Sequence, residues 1–325
     1  MEINEVMPNL IQVQIPLPNS PLKATNNYYI RGKARDLWID TAFNHEICKQ
    51  AMDETLKILD VDMARTDIFA THLHADHCGL IGYMAKPSTR IFASRKDGEV
   101  FGDRNYIPRY NRLQEFADKN LSAPGGGFNI FDQVIFTYRS DPFDNEIIML
   151  NDTDTLSIGG FEFECVLTPG HTDGHMCLYD HNKKLLISGD HVLPKITPNI
   201  TLWDIKSDAL GDYLNSLDKI KKLNAEKVLP GHRYIFEDCN ARMDVLRAHH
   251  ERRMQEVLDI IGGRKMTAYE VAPLMKWDIS CKNWDDFPPA QKIFATGEAM
   301  SHLRHLAALG KLKLIEVEGY TAFQK

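Results

Sequence analysis

Residues 71–79 read THLHADHCG, which puts His72, His74, Asp76 and His77 within six positions and Cys78 directly behind them. Imidazole and carboxylate are the side chains that hold zinc and related divalent ions. Three later residues extend the set. His171 stands in TPGH, Asp190 in SGD and His232 in PGH, and each follows a stretch with strand character. Residues at strand ends gather on one rim of a sheet system, where a rigid base can hold a loop in place. Seven such donors suit a two-metal site, in which two ions share a hydroxide, lower its pKa and polarise a substrate oxygen. A carboxylate at Asp190 would bridge the ions and offset charge. Cys78 has a simpler reading. The donors already suffice, so it is expected to be a small, half-buried residue at the start of the following helix.

The elements that must position these donors are legible in the hydrophobic pattern. LIQVQIPL (10–17), NNYYI (26–30) and RDLWID (35–40) read as antiparallel strands. Residues 44–59 read as a helix with Ile47, Met52, Leu56 and Leu59 along one side. TDIFATHL reads as a buried strand that runs into the motif, so that His72 and His74, as alternate residues, share a face. RIFAS (90–94) is a further strand. FEFECVL (161–167) alternates, with Phe161, Phe163 and Cys165 on one face, and delivers TPGH. A hairpin, MCLYD–HN–KKLLISGDH, delivers Asp190. A helix over 208–223 carries Leu210, Leu214, Leu217 and Ile220 at helical spacing. Strand KVL leads to His232, and a helix over 236–261 is stopped by Gly262-Gly263.

Two regions depart from this rhythm. Residues 96–145 are rich in aromatics and carry Arg104, Arg109 and Arg112 with a glycine hinge at 125–127. They read as a helical insertion or lid, in which Tyr106, Arg109 and Tyr110 would take the apolar and anionic parts of a substrate. Residues 263–325 open a helix on the capping box Thr267–Glu270, open another at Pro288-Pro289, and close with two strands turning at Gly319. Helices followed by a β-hairpin describe a winged-helix arrangement.

The ordered set His72-x-His74-x-Asp76-His77, His171, Asp190 and His232 resembles the metallo-β-lactamase fold superfamily over roughly residues 8–260, and Trp38–Thr41 resembles its early strand and turn. The resemblance implies an α+β fold, the αββα four-layer sandwich. It implies that His72, His74 and His171 hold one zinc, that Asp76, His77 and His232 hold the other, and that Asp190 bridges them. Asp76 would also orient the attacking hydroxide or handle its proton. The tail resembles the winged-helix domain found behind this fold in some members, including glyoxalase-II-like hydrolases. The division expected is therefore 1–262, carrying the insertion, and 263–325. The activity implied is zinc-dependent hydrolysis of a thioester, ester or lactone. The alternative is a phosphodiesterase or endoribonuclease acting on RNA or a nucleotide. Iron and manganese accept the same donors as zinc.

Composition narrows the partners. The formal net charge of -7 argues against broad nucleic-acid or anionic-membrane binding. The tail helix QKIFATGEAMSHLRHLAALG offers only Lys292 and Arg304 against Glu298, so a small-molecule substrate is favoured over nucleic acid, and the tail is expected to pack beside the site or make a homodimer contact. No apolar run approaches the length of a membrane span, the N-terminus shows no secretory pattern, and six scattered cysteines read as reduced thiols in a cytoplasmic protein. Among the other histidines, His175 is expected to pack rather than serve the site. His249 and His250 read as a solvated helix face, and His302 and His305 as ordinary helix residues.

Overall fold

The computed structural model describes residues 2–102, 107–122, 138–279 and 281–325. Its contacts group the chain into two compact units. The first takes residues 1–104, 134–198 and 216–243, and the second takes 105–133, 199–215 and 244–325. The expected division at 262 follows chain order, whereas this grouping is discontinuous. Part of the insertion, a stretch after Pro198 and most of a long helix join the tail.

The first unit is a sandwich of two sheets. Sheet one has seven strands in chain order: β1 (Glu2–Met7), β2 (Leu10–Pro16), β3 (Ala24–Ile30), β4 (Asp36–Ile39), β5 (Thr66–Phe69), β6 (Ile91–Ser94) and β7 (Ile147–Leu150). Pairings are antiparallel from β1 to β4 and parallel from β4 to β7. Sheet two has the order β13 (Phe236–Glu237), β12 (Lys227–Pro230), β11 (Leu185–Gly189), β10 (Met176–Asp180), β9 (Phe161–Leu167) and β8 (Thr155–Ile158). Strand β1 and the pair of short edge elements β8 and β13 go beyond what the pattern predicts.

Alternation along the strands explains the layering, because successive side chains face opposite sides. Leu37 and Ile39 of β4, Phe69 of β5 and Phe92 of β6 meet Phe163, Cys165, Leu178, Ile187 and Leu229 in a core shared by both sheets. Their neighbours Trp38, Ile68 and Ile91 face a second core with Cys48 and Met52 of helix α1 (Glu46–Ile58). The buried face of α1 is thus Cys48, Met52 and Thr55. Of the expected apolar side, Met52 is buried and Leu56 and Leu59 pack against the same core, whereas Ile47 is 47% exposed and lies off it.

Strand β5 ends at Phe69. His72 and His74 therefore lie beyond the strand, in a loop that leads into the short helix α2 (Ala75–Cys78) and then α3 (Ile81–Met84). The chain leaves the ladder early because Asp40 takes the Thr71 backbone N–H at 2.7 Å in place of a strand partner. Cys78 closes α2 instead of opening a helix, is buried, and donates to the Leu73 carbonyl at 3.1 Å.

In the second unit, helix α5 (Ile107–Asn120) lies in the insertion, which begins in the first unit with α4 (Arg95–Gly102). Helices α6 (Ala209–Lys221) and α7 (Cys239–Ile261) each contribute residues to both units. The tail forms α8 (Ala268–Val271), capped by the expected Thr267–Glu270 box, and α9 (Pro289–Ala308). A three-stranded sheet follows, β14 (Met266–Thr267), β16 (Tyr320–Gln324) and β15 (Lys313–Val317) in that order. Its hairpin turns at Glu318 and Gly319, both with positive φ, as a tight two-residue turn requires. His250 is fully buried and meets His302 Nε2 at 3.2 Å through its Nδ1, so the solvated-face reading is corrected. Periodicity over α7 is weak, and it hid which side faces inward. Among the described residues, no helix is long and apolar enough to cross a membrane.

Candidate metal centre

Five strand ends of the first unit converge on one rim. Beyond β4 stands Asp40, beyond β5 the 71–78 segment, beyond β9 His171, beyond β11 Asp190 and beyond β12 His232. Backbone bonds tie these ends together. Met176 N donates to Thr71 O at 2.9 Å, and Gly231 N to Gly189 O at 2.8 Å. Thr41 N donates to His77 O at 2.6 Å, and Asn26 N to Gly231 O at 2.7 Å. Asn26 Nδ2 and Tyr28 Oη both donate to the Pro230 carbonyl, at 2.9 and 2.8 Å. Gly231 permits the closest approach. A Cβ there would lie 2.5 Å from Asp190 Oδ1 and 2.7 Å from His77 Cε1.

The seven expected residues come together. His72 Nε2 and His74 Nδ1 are 3.1 Å apart, with the His171 ring centroid 4.9 Å from that of His72 and 4.6 Å from that of His74. On the other side, His77 Nε2 and His232 Nε2 are 3.3 Å apart, and Asp76 Oδ2 is 3.3 Å from His232 Nε2. Asp190 stands between the two sides, 3.7 Å from His171 Nε2 and 3.3 Å from His232 Nε2. Three sets have donor atoms close enough to hold a metal ion: His72, His74 and His171; His72, His77 and Asp190; Asp76, His77 and His232.

The outward ring nitrogens of His72, His77 and His232 are also engaged, which fixes these three imidazoles. His77 Nδ1 meets Asp40 Oδ2 at 2.8 Å, His232 Nδ1 donates to the Ala24 carbonyl at 2.8 Å, and His72 Nδ1 meets Thr71 Oγ1 at 3.0 Å. Such outer partners orient metal-binding imidazoles and set their basicity. Asp40 and His175 are the residues whose roles sequence reasoning missed. Asp40 adopts φ 59°, in the left-handed region that Asp tolerates better than most residues, and so aims its carboxylate back at Thr71 and His77. An aspartate directly after a predicted strand was the available signal. His175 is fully buried. Its Nε2 accepts from Asp190 N at 3.1 Å, so its Nδ1 carries the proton and donates to Thr168 Oγ1 at 2.8 Å. It therefore joins the His171 turn to the Asp190 turn instead of only packing.

Charge is polarised across the cluster. Burial, reinforced by neighbouring imidazoles, pushes His72 well below its ordinary value and His74 down to about 3, so both are neutral donors. Burial opposes ionisation of Asp76, but His77 and His232 more than offset it and hold the carboxyl at about 2. Asp190 is likewise held well below the carboxylate range, burial being outweighed by His232 and His77. Against burial, the carboxylates of Asp190, Asp40 and Asp76 raise His77, and Asp190 with Asp76 lifts His232 to about 9. Without a cation, protons on His77 and His232 balance the buried carboxylates.

Of the substrate candidates, Arg109 and Tyr110 lie on α5 in the second unit, Arg109 half-buried and Tyr110 buried. Tyr106 and the glycine hinge fall outside the described residues.

A two-sheet sandwich with histidines and aspartates at its strand ends defines a class of metallo-hydrolases. The chain belongs to the metallo-beta-lactamase superfamily, whose family model matches residues 21–232, and it is a hydrolase of that superfamily. It is 24% identical to the beta-lactamase-like protein 2 homolog of Caenorhabditis elegans, over 89% of this chain and 80% of that one. It is also 24% identical to the acyl-coenzyme A thioesterase MBLAC2 of Homo sapiens, over 64% of this chain and 72% of that one. The crystal structure of a metallo-beta-lactamase family protein from Thermus thermophilus superposes with a TM-score of 0.80 at 26% identity, covering 99% of this chain and all of that one.

Proposed function

We propose that this hydrolase cleaves acyl thioesters, with esters and lactones as chemically related substrates, at a dinuclear zinc centre. One observation carries the reading: two donor triads, His72–His74–His171 and Asp76–His77–His232, flank a single carboxylate, Asp190. The donor set fits a pair of cations. Imidazole nitrogens face one another at 3.1 and 3.3 Å, and Asp190 Oδ1 is buried without a hydrogen-bond donor among the described residues. Donor atoms packed this closely need shared positive charge, which protons supply on His77 and His232 in the free protein and a pair of cations would supply in their place. The thioester class is supported by the name of the human relative, an acyl-coenzyme A thioesterase.

The first triad would hold one ion and the second the other, with Asp190 bridging. Such ions, when bound, make water a nucleophile near neutral pH and stabilise charge on the substrate oxygen. The chain's own residues do the rest. Asp76, ionised, accepts the proton that the attacking water releases as the C–O bond forms, and returns it to the departing thiolate as the C–S bond then breaks. Asp40, through His77 Nδ1, keeps that imidazole turned toward Asp76 and His232. The aromatic and arginine side chains of the insertion, Tyr106, Arg109 and Tyr110 among them, suit an acyl chain and an anionic carrier. Residues 263–325 are read as a winged-helix-like module.

A panel of acyl thioesters, esters and lactones, assayed on stripped and zinc-reconstituted protein, tests the reading. Thioester turnover should require metal, and Asp76→Ala should lower kcat at least about 100-fold. Absence of metal-dependent turnover on every member would overturn it.

A further inference from the structure

Asp97 is a buried carboxylate outside the seven-residue set. It lies in the first turn of α4, three residues after β6 ends, and is 1% exposed. Its backbone N–H is taken by Ser94 Oγ at 3.3 Å, so the strand-to-helix turn fixes where it points. It points at Gly174, within the 168–175 turn that carries His171. A Cβ on Gly174 would lie 2.0 Å from Asp97 Oδ1, 2.4 Å from its Cγ and 2.7 Å from Ser94 Oγ. The carboxylate therefore presses on the bare backbone of the turn.

The turn has bonds of its own, and Ser216 Oγ donates to its Pro169 carbonyl at 2.8 Å. Thr168 N donates to His175 O at 2.8 Å, Gly170 N to Thr172 O at 3.1 Å, and His175 N to Thr172 O at 3.4 Å. The last is long, and Gly170 adopts φ 141°, a conformation open to glycine and few others. Glycines at both ends of the outer half leave the backbone between them freer than other residues would, so contacts from outside the turn matter to its shape. His175 supports it from the Asp190 side. Asp97 supports it from the α4 side.

We propose that Asp97 is a positioning residue whose buried carboxylate braces Gly174 and so fixes the turn that presents His171 to His72 and His74. The inference rests on the reading of His171 as a ligand, but its test does not need metal. Amide hydrogen exchange on the metal-free full chain should show residues 168–176 exchanging at least about 10-fold faster in Asp97→Ala, with 185–189 unchanged. Asp97→Asn, which keeps the shape, should restore most of the protection. Gly174→Ala, which disturbs the same contact from the other side, should loosen the same segment. Because removing Asp97 clears the two closest of the three atoms that the new methyl meets and leaves only Ser94 Oγ at 2.7 Å, the double variant should be loosened by less than the sum of the two single ones.

Equilibrium zinc titration against a chelator then reads the consequence, with Asp97→Ala retaining one of the two ions at least about 10-fold more weakly. Wild-type exchange in Asp97→Ala, or strict additivity in the double variant, would overturn the brace. If wild-type protein takes up no metal while Asp97→Ala still loosens the turn, the metal reading fails and the brace stands. If Asp97→Ala loosens the turn and both ions bind as in wild type, the link from the brace to His171 is overturned.

Discussion

At the scale of residues, the cluster is a balance of buried charge in which protons and metal ions compete for the same atoms. His77 and His232, lifted by the surrounding carboxylates, must give up a proton before they can bind a cation. Metal uptake near neutral pH should therefore release about two protons, measurable by calorimetry in buffers of different ionisation enthalpy. Uptake without proton release would show that these imidazoles are neutral in the free protein. Asp40 sets the sharpest single-residue expectation. It bonds Thr71 N and Oγ1 at 2.7 and 2.8 Å and His77 Nδ1 at 2.8 Å, so one carboxylate shapes the loop and aims a ligand. Asp40→Ala should weaken zinc binding about 10- to 100-fold in a chelator competition. The seven donors were legible because their types and order are chemical. Asp40, His175 and Asp97 were not, because an outer partner is defined by what it touches, and one chain's letters do not encode contact.

At the scale of elements, the loops can be precise only if the parallel strands beneath them keep register. Asp67 of β5 does much of that at the end away from the site. It takes two bonds from Arg35, just before β4, at 2.9 and 2.7 Å, and two from Arg90, just before β6, at 3.1 and 2.5 Å. One buried carboxylate thus clamps three neighbouring strands with paired, charge-assisted bonds. Burial opposes its ionisation, but Arg90 and Arg35 prevail and its pKa lies below the ordinary 3.8. A depressed carboxyl contributes stability that is present above the unfolded pKa and lost as pH falls through the folded one. Asp67→Asn should therefore lower unfolding stability by about 1–3 kcal/mol at neutral pH in urea titrations, and the gap to wild type should close below about pH 4. Strand identity was legible here because alternation of Leu37, Trp38 and Ile39 follows from pleating. The end of β5 was not. TDIFATHL stays apolar past Phe69, and what stops the strand is Asp40, thirty-one residues away from Thr71 in sequence.

At the scale of the whole molecule, buried carboxylates in the two units shift in opposite directions, and pH separates their contributions. The site and clamp carboxylates of the first unit are depressed, whereas Glu298 on α9 of the second is raised. It is 9% exposed, accepts from Asn199 Nδ2 at 3.3 Å, and burial pushes it up to about 7 against the opposing pull of Arg253 and Asn199. A group with a raised folded pKa favours the folded state fully only below its unfolded pKa. For Glu298, stability should decline as pH rises from about 4.5, the unfolded value, and level off above about 7, the loss being on the order of 3 kcal/mol. Glu298→Gln removes the titration and keeps the shape and the Asn199 partner. Its melting temperature should match wild type near pH 4.5, exceed it by a few degrees at pH 8, and flatten between. Metal-free protein is the right material, since proton–metal competition at His77 and His232 would add its own slope. Equal pH dependence in the two proteins would mean that Glu298 is already ionised when buried. The sequence offered only a glutamate among alanines and methionines on a long helix, and its surroundings come from Asn199 and Arg253, distant in the chain.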